Sequence, residues 1–271
     1  MPNDLKDKVV LITGAAIGIG AASVKIFLEE GVKHIAITDI DVNAGKQLEQ
    51  DLNSKYPGRV SFIKCDVTND EELFAAYDQV LKQYGYIDFV INNAGLMNDG
   101  PKVYKKEIEV NVAALVTSTL KAWELMRKDK SGRGGVIVNI ASVAALVHSP
   151  YMPIYNSTKS AVLQFSNCIG TTENYEKTGV KVITVCYGVT KTSLLSKHKM
   201  QNFSDIHEDL EEVLKQFPAQ SAEEAAQGLV DACKRGESAS TWLVTDGKGA
   251  RDITPVVQEA YSLFHEAIMQ N

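Results

Sequence analysis

Short apolar runs rich in β-branched residues alternate along the chain with longer stretches in which apolar residues recur at helical spacing. The runs predict strands at residues 9–13, 34–39, 60–64, 87–91, 135–142, 180–186 and 241–245. The longer stretches predict helices at residues 21–30, 41–56, 70–84, 103–128, 205–217, 222–235 and 255–269, and one more that follows residue 142 and continues to about 177. This alternation predicts an α/β fold in which one doubly wound parallel sheet of about seven strands carries helices on both faces. We expect a single domain over residues 1–271, with ligands at the carboxyl ends of the strands.

A glycine-rich turn joins the first predicted strand to the first helix. It has the sequence Gly14-Ala-Ala-Ile-Gly18-Ile-Gly20. Such a turn leaves backbone N–H groups at a helix N-terminus, where their partial positive charge and the missing side chains admit a pyrophosphate. Asp39 ends the second strand 19 positions after Gly20, about the spacing at which a carboxylate reaches the adenosine ribose. The joint spacing predicts a Rossmann-type dinucleotide site, because a tight turn and an unrelated surface aspartate would leave it unexplained.

Asp39 also discriminates between dinucleotides. Its charge would repel a 2′-phosphate, and the neighbouring Ala16, Ile17 and Ile40 supply no arginine to neutralise one. We therefore expect NAD rather than NADP as the cofactor.

A hydroxyl, a phenol and an ammonium occur between Ser142 and Lys159 at a spacing that suits proton transfer. Tyr155 and Lys159 are four positions apart and would share one face of a helix. The lysine charge is then expected to lower the tyrosine pKa from about 10 toward the range of an acid–base catalyst. Ser142 ends a predicted buried strand, where its hydroxyl could bond the substrate oxygen. A tyrosine and a lysine at this spacing are usually just a packed ring and a solvated charge. The catalytic interpretation is favoured here because the same chain also carries the predicted dinucleotide site.

Other polar residues stand at predicted strand ends or inside a helix, and each allows two interpretations. Asp66 follows the third strand and either accepts from an adenine amino group or serves as a helix-entry acid. The amides of Asn92-Asn-Ala-Gly95 either approach the cofactor or tie neighbouring strands together. Asn111 interrupts an apolar helix, where it marks either a local kink with a bound water or a water that relays protons to Lys159.

Composition and charge exclude several other classes. The 271 residues are 45% hydrophobic and carry a net charge of −6, without the basic cluster that nucleic acid or an anionic membrane would need. No apolar run approaches the roughly 18 residues of a membrane span, and the polar start lacks the apolar core of a signal peptide. The four cysteines and five histidines show no metal-ligand spacing, so no metal site is expected. We expect a cytoplasmic protein with reduced thiols and with neither nucleic-acid nor membrane partners.

In their order and spacing, these motifs resemble those of the short-chain dehydrogenase/reductase family from end to end. The matching elements are Thr13-Gly-x-x-x-Gly-x-Gly20, Asp66, Asn92-Asn-Ala-Gly95, Asn111, Ser142 and Tyr155-x-x-x-Lys159. The resemblance implies that Ser142 orients the substrate oxygen and that Tyr155 is the acid–base group. It also implies that Lys159 lowers the tyrosine pKa and binds the nicotinamide ribose, while Asn111 holds the relay water. The cofactor contacts expected from it are Gly14, Ile17, Gly18, Ile19, Gly20, Asp39, Ile40, Asp66, Val67, Asn93, Ala94, Gly95, Tyr155, Lys159, Gly188, Val189, Thr190 and Thr192.

Within that family the chain most resembles the branch of the 15-hydroxyprostaglandin dehydrogenases and the insect-type alcohol dehydrogenases. The resemblance rests on the glycine turn, on the short connection at residues 98–110 and on Gly134-Gly-Val-Ile-Val-Asn-Ile. One departure is Tyr187-Gly188, which replaces the Pro-Gly of many relatives. The change removes a φ constraint and adds a phenol near the pocket.

The segment at about residues 188–220 is expected to form a substrate lid, because insertions after a strand end commonly do so. The remaining pocket lining is expected from Val143, His148, Met152 and Tyr187, with His148 interpreted as a loop residue rather than a catalytic one. This mostly apolar set favours an aliphatic or lipid-like alcohol of the prostaglandin, terpenoid or fatty type.

The function that these expectations imply is NAD-dependent hydride transfer between the nicotinamide and an alcohol or carbonyl carbon. Two alternatives stay open: a dinucleotide- or lipid-binding protein that keeps the fold without turnover, and a carbonyl reductase that works in the opposite direction. The family resemblance implies a homodimer or homotetramer.

Overall fold

The computed structural model describes residues 3–196, 199–204 and 210–269. The strands within these ranges are β1 Val9–Thr13, β2 His34–Asp39, β3 Val60–Lys64, β4 Phe89–Asn92, β5 Gly135–Ser142, β6 Val180–Tyr187, β7 Thr241–Val244 and β8 Ala250–Asp252. They form one sheet in the order β3-β2-β1-β4-β5-β6-β7-β8. The strand order reverses between β1 and β4, and a ligand crevice is expected outside the carboxyl ends of strands at such a point.

Helices cover both faces of this sheet, as the alternating pattern predicted. They are α1 Gly18–Glu29, α2 Val42–Lys55, α3 Asp70–Tyr84, α4 Tyr104–Ile108, α5 Leu115–Met126, α6 Pro153–Ile169, α7 Thr172–Thr178, α8 Leu210–Leu214, α9 Ala222–Arg235 and α10 Thr254–Met269. In the described part of the chain, none of them combines the length and the apolar character needed to cross a bilayer.

Successive residues of the central strands are buried on opposite faces of the sheet. Val10 and Ile12 of β1 pack with α1 and α9, whereas Val9 and Leu11 pack with α3 and α5. A strand that is covered on both faces must be apolar at every position, which explains why the sequence shows continuous apolar runs there rather than alternation. The doubly wound α/β fold is confirmed.

The sheet has one strand more than the sequence indicated. The seven predicted strands are present, and β8 is added as an antiparallel partner of β7 in which Leu243 pairs with Arg251. The prediction missed it because Ala-Arg-Asp is three residues long, half or fully exposed, and has no apolar pattern. Asp246, Gly247 and Gly249 adopt positive φ in the turn that precedes it.

Three helix predictions need correction. The helix at 103–128 is broken by a π-helical turn at Glu109–Ala114, which separates α4 from α5. The helix expected to continue to 177 ends at Ile169, because glycine favours helix termination and Gly170 is the C-cap residue, and the separate helix α7 follows. Of the helix predicted at 205–217, residues 205–209 lie outside the described residues, and α8 covers Leu210–Leu214.

Candidate active site

A cavity of about 830 Å³ lies along the carboxyl ends of the parallel strands. One end is formed by the glycine turn and the end of β2, and the other by the loop that precedes α6 and by residues that follow β6. Every residue predicted to contact a dinucleotide lines this cavity, as do Ser142, Val143, His148, Met152 and Tyr187. The structure therefore brings the predicted cofactor and substrate residues to one continuous space.

The glycine turn is packed too tightly for side chains. Gly14 has φ +63°, and a Cβ on it would lie 2.7 Å from the Cα of Ala94. A Cβ on Gly20 would lie 2.5 Å from the carbonyl oxygen of Gly14. Among the described residues, no side chain caps the N-terminus of α1, where Ile17 occupies the N-cap position. This uncapped helix start beside close-packed glycines fits the pyrophosphate of a dinucleotide.

Asn93 holds the turn in place. Its Nδ2 donates to the carbonyl oxygens of Thr13 at 3.0 Å and Gly14 at 2.7 Å. The neighbouring amide of Asn92 is fully buried and donates to Asn139 of β5 at 2.8 Å and to Thr119 of α5 at 3.0 Å. Of the two interpretations left open for these amides, the side-chain contacts support the tie between structural elements.

Asp39 is fixed at the other side of the turn. Its Oδ2 accepts from the backbone N–H of Ala16 at 3.0 Å and its Oδ1 from that of Asp41 at 3.0 Å. The adjacent cavity wall carries Ile17 and Ile40, whose side chains are 41% and 67% exposed. A fixed carboxylate next to two exposed apolar side chains suits a ribose diol with a flat base beside it.

Asp66 lines the same end of the cavity but uses its side chain locally. Its Oδ1 accepts from the backbone N–H of Thr68 at 2.9 Å and from the Thr68 hydroxyl at 2.7 Å. Lys106 Nζ lies 3.5 Å from its Oδ2. These contacts match the helix-entry interpretation, and the position on the cavity wall keeps the contact with an adenine amino group as a prediction.

Ser142, Tyr155 and Lys159 meet at the far end of the cavity, and all three are buried. Ser142 is the last residue of β5, and its Oγ accepts from the N–H of Ala144 at 3.2 Å. Tyr155 and Lys159 lie on successive turns of α6, and Lys159 Nζ is 5.7 Å from the centroid of the tyrosine ring. The ammonium donates to the carbonyl oxygen of Ile140 at 2.9 Å.

Burial dominates the protonation of these groups. It raises the pKa of Tyr155 to about 12, although hydrogen bonding with the Ser142 hydroxyl lowers it in part. Burial also lowers the pKa of Lys159 to about 8. The tyrosine pKa thus lies above rather than below its ordinary value in this structure, because desolvation disfavours the tyrosinate, and the lowering by Lys159 stays a prediction.

Asn111 lies in the π-helical turn behind the cavity wall and is fully buried. Its Oδ1 accepts from the N–H of Leu96 at 2.8 Å, and its Nδ2 donates to the carbonyl of Leu96 at 2.8 Å and to Thr158 Oγ1 at 3.1 Å. A Cβ added to Gly95 would lie 3.3 Å from Asn111 Oδ1 and 3.6 Å from Lys159 Nζ. The predicted local kink is confirmed as the π-helical turn, and the water relay stays a prediction.

The residues that follow β6 form the wall opposite the glycine turn. Thr190 donates to the carbonyl of Gly188 at 3.0 Å and accepts from the side-chain amide of Gln220 at 3.2 Å. The Thr192 side chain faces Gly18, where a Cβ would lie 3.6 Å from it. Gln220, which the sequence did not single out, is buried and also donates to the carbonyl of Val244 at 2.9 Å. This bond anchors the returning end of the segment at 188–220.

The expected role of the Tyr187 phenol needs correction. Tyr187 borders the cavity, but its ring packs in the core together with Val185, Leu229 and Val244. Its hydroxyl is buried and, in the described part of the chain, has no hydrogen-bonding partner. The strand alternation explains this, because Tyr187 shares its face of β6 with Val185 rather than with Cys186. The pocket gains no phenol from this residue.

The substrate end of the cavity is apolar. Met152 packs in a buried cluster with Met97, Leu210 and the ring of Tyr155. His148 lies in the exposed loop between β5 and α6, in line with its interpretation as a loop residue. Within residues 3–196, 199–204 and 210–269, no group of three or more His, Cys, Asp or Glu side chains is placed to hold a metal ion.

Two buried acids beside the site were missed by the sequence analysis. Asp99 is 1% exposed and accepts from the backbone N–H groups of Ile154 at 2.6 Å and Tyr155 at 3.0 Å. Glu107 is fully buried, and its Oε1 accepts from the N–H of Asn98 at 3.1 Å. The only signal in the sequence was their charge within a stretch of mixed polarity, which gives no indication of burial.

The sheet order and the glycine turn define a doubly wound α/β protein of the dinucleotide-binding type. The sequence model of the family described as short chain dehydrogenase matches residues 8–202, and the chain belongs to this family.

Named relatives resemble the chain over most of its length. It is 28% identical to human 15-hydroxyprostaglandin dehydrogenase (NAD(+)), over 82% of this chain and 85% of that protein. It is 32% identical to alcohol dehydrogenase 2 of Ceratitis capitata, over 93% of this chain and 96% of that protein. The NADH complex of 3-ketoacyl-(acyl-carrier-protein) reductase from Brucella melitensis superposes with a TM-score of 0.76 over 90% of this chain and 99% of that one. Its identity is 21%, so this likeness shows the fold alone.

Proposed function

We propose that the protein is an NAD-dependent alcohol dehydrogenase that moves a hydride between the nicotinamide and an alcohol or carbonyl carbon. The observation that carries the proposal is one cavity with the uncapped start of α1 and Asp39 at one end and Ser142, Tyr155 and Lys159 at the other. A dinucleotide binds in extended form across such a crevice. The name of the human relative supports the same cofactor, and the names of the human and insect relatives support the same reaction class.

The N–H groups at the start of α1 would hold the pyrophosphate, and the Asp39 carboxylate would accept from the ribose hydroxyls. Lys159 would bind the second ribose, since its ammonium reaches the cavity beside Gly95. NAD, when bound, supplies the nicotinamide carbon that takes or gives the hydride. The protein contributes position and the movement of one proton.

That proton moves at the hydroxyl of Tyr155. In alcohol oxidation Tyr155 must be a tyrosinate to take the substrate proton, while Ser142 donates to the substrate oxygen. In carbonyl reduction the neutral phenol gives the proton. Because burial raises the pKa of Tyr155, the phenol is the favoured form near neutral pH. Oxidation should therefore accelerate as the pH rises above neutrality, and reduction should not need high pH.

The substrate is an aliphatic or lipid-like alcohol in this proposal. The buried cluster around Met97, Met152 and Leu210 offers dispersion contacts but few polar partners. The exposed Phe217 lines the same cavity from the far side. Such a wall favours a long apolar substituent on the alcohol carbon.

A panel of primary and secondary alcohols of increasing chain length tests this function. Purified protein is incubated with each alcohol and NAD, and reduced nicotinamide is followed by its absorbance. We expect turnover that increases with chain length. Binding of NAD without turnover of any alcohol, or of any carbonyl with NADH, would instead favour the non-catalytic binding protein. The single-domain organisation, the homodimeric or homotetrameric state and the cytoplasmic location stay predictions.

A further inference from the structure

The helix that carries Tyr155 is capped by a residue far away in the sequence. Met152 occupies the N-cap position of α6, and no described side chain caps the helix from that position. Asp99 takes over this task, since its two carboxylate oxygens accept from Ile154 and Tyr155, the second and third residues of the helix. A carboxylate at this place satisfies two N–H groups and complements the positive end of the helix. The position of Tyr155 therefore depends directly on Asp99.

Asp99 is itself held by two neighbouring segments. Its backbone N–H donates to the carbonyl of Gln201 at 3.0 Å. The adjacent Asn98 donates from Nδ2 to the carbonyl of Lys199 at 2.8 Å and from its backbone N–H to Glu107. Through this hydrogen bond, Glu107 links α4 to the loop that contains Asp99.

Glu107 has an unusual environment for an acid. It is 0% exposed, and its buried Oε2 accepts no hydrogen bond from residues 3–196, 199–204 and 210–269, while a protonated Glu107 side chain can hydrogen-bond with the Asp99 carboxylate. Burial raises the pKa of Glu107 to about 7, and the nearby Asp99 carboxylate adds to this effect. The hydrogen bond from the Asn98 N–H acts in the opposite direction and lowers the pKa in part. An acid that gains or loses its proton near neutral pH therefore lies inside the wall of the site.

The charge on Glu107 reaches both catalytic groups of α6. It raises the pKa of Tyr155. It also raises the pKa of Lys159, where it is the largest influence that opposes the lowering caused by burial. Helix α4, which carries Glu107, packs against α6, which carries Tyr155 and Lys159. The other titratable groups that act on the pKa values here are Asp99, on Glu107, and Cys186 of β6, on Tyr155 and Lys159. The other charged groups on and near α4 are exposed: Lys105, Lys106, Glu109 and Lys199.

We propose that Glu107 is a positioning residue of the active site, which holds the loop of Asp99 and, by gaining or losing one proton, sets the pH range in which Tyr155 and Lys159 act. A negative charge on Glu107 favours the protonated form of both groups. The ammonium of Lys159 is then retained in its buried position, and the tyrosinate forms only at higher pH. The catalytic part of this inference rests on the proposed function, whereas the link between Glu107 and Lys159 does not.

The first test measures that link without turnover. Lysine side chains are labelled for NMR, Lys159 is assigned from its loss in Lys159→Met, and its titration is compared in the wild type and in Glu107→Gln. We expect Lys159 to titrate about one pH unit lower in Glu107→Gln, a typical effect for loss of a nearby opposite charge. Glu109→Gln is the matched control, since it removes an exposed acid two residues along the same stretch and should leave the titration unchanged. Equal titration of Lys159 in all three proteins would overturn the proposal.

The second test uses the reaction. In Glu107→Gln the pH profile of kcat/KM for alcohol oxidation should move to lower pH by about one unit, because both Tyr155 and Lys159 lose a neighbouring negative charge. A purely structural role would lower activity without moving the profile. If Glu107→Gln fails to fold, the pH profile of kcat/KM of the wild type provides the test. The proposal requires an ionisation near pH 7 in that profile in addition to the ionisation of Tyr155. A profile without the ionisation near pH 7 contradicts the proposal. A wild type that turns over no alcohol refutes the proposed function instead, and the NMR titration still decides on Glu107.

Discussion

Replacement of Asp39 by asparagine should relax the preference for NAD over NADP. Asp39→Asn removes the charge but keeps an oxygen that can accept from Ala16 or Asp41, as Asp39 does at 3.0 Å from each. A 2′-phosphate would replace the ribose hydroxyl that this carboxylate is expected to bind, and we take about 5 Å as the separation of the two charges for a Coulomb estimate. At an effective dielectric constant of about 20, one pair of like charges at that distance costs roughly 3 kcal/mol.

That free energy corresponds to about a 100-fold difference in affinity. We therefore expect the ratio of kcat/KM for NAD to kcat/KM for NADP to fall by about 10- to 100-fold in Asp39→Asn, measured with one alcohol at saturating concentration. Asp51→Asn, which removes an exposed charge on α2, is the control and should leave the ratio within about threefold. An unchanged ratio in Asp39→Asn, or an equal change in both variants, would refute this account of cofactor choice.

Two further predictions concern stability. Gly14→Ala should lower the free energy of unfolding by about 2–4 kcal/mol, because φ is +63° and the new Cβ would lie 2.7 Å from Ala94 Cα. Gly58→Ala, with φ +72° but no described atom within 4 Å of its Cβ, should cost only about 1 kcal/mol in the same urea titration. For Glu107, whose pKa of about 7 in the folded protein lies above the ordinary value of 4.5, the folded state binds the extra proton, so wild-type stability should fall as the pH rises from about 4.5 to 7. Urea unfolding at pH 5 and pH 8 should show a loss on the order of 3 kcal/mol that Glu107→Gln lacks, and equal pH dependence in both proteins would contradict the buried acid.

The parts of the molecule that could be predicted from the sequence are those with a local signature. The glycine turn, the acid at the end of β2 and the pair Tyr155 and Lys159 all lie within short segments whose periodicity fixes their relative positions. Once the order of strands and helices is known, parallel pairing brings their carboxyl ends to one edge of the sheet. The local patterns and the sheet topology together were sufficient to predict which residues line the cavity.

The parts that were missed depend on contacts between distant segments. Asp99 caps a helix that begins more than fifty positions later, and nothing in its own neighbourhood indicates a buried acid. The pKa of Tyr155 was predicted from one neighbour, whereas burial of the whole helix face decides its direction. Tyr187 is different, because counting alternate residues from Val185 would already have placed its ring in the core.

The central claim is that Tyr155 moves the proton while the bound dinucleotide moves the hydride. The most direct measurement is the rate of NAD reduction by Tyr155→Phe with the best alcohol of the panel, together with its affinity for NAD. Tyr56→Phe, which removes a phenol remote from the cavity, is the control. We predict a loss of at least about 100-fold in kcat for Tyr155→Phe, with a much smaller change in NAD affinity, because the ring stays in place and only the hydroxyl is removed. A Tyr155→Phe protein that keeps most of its turnover would contradict the account.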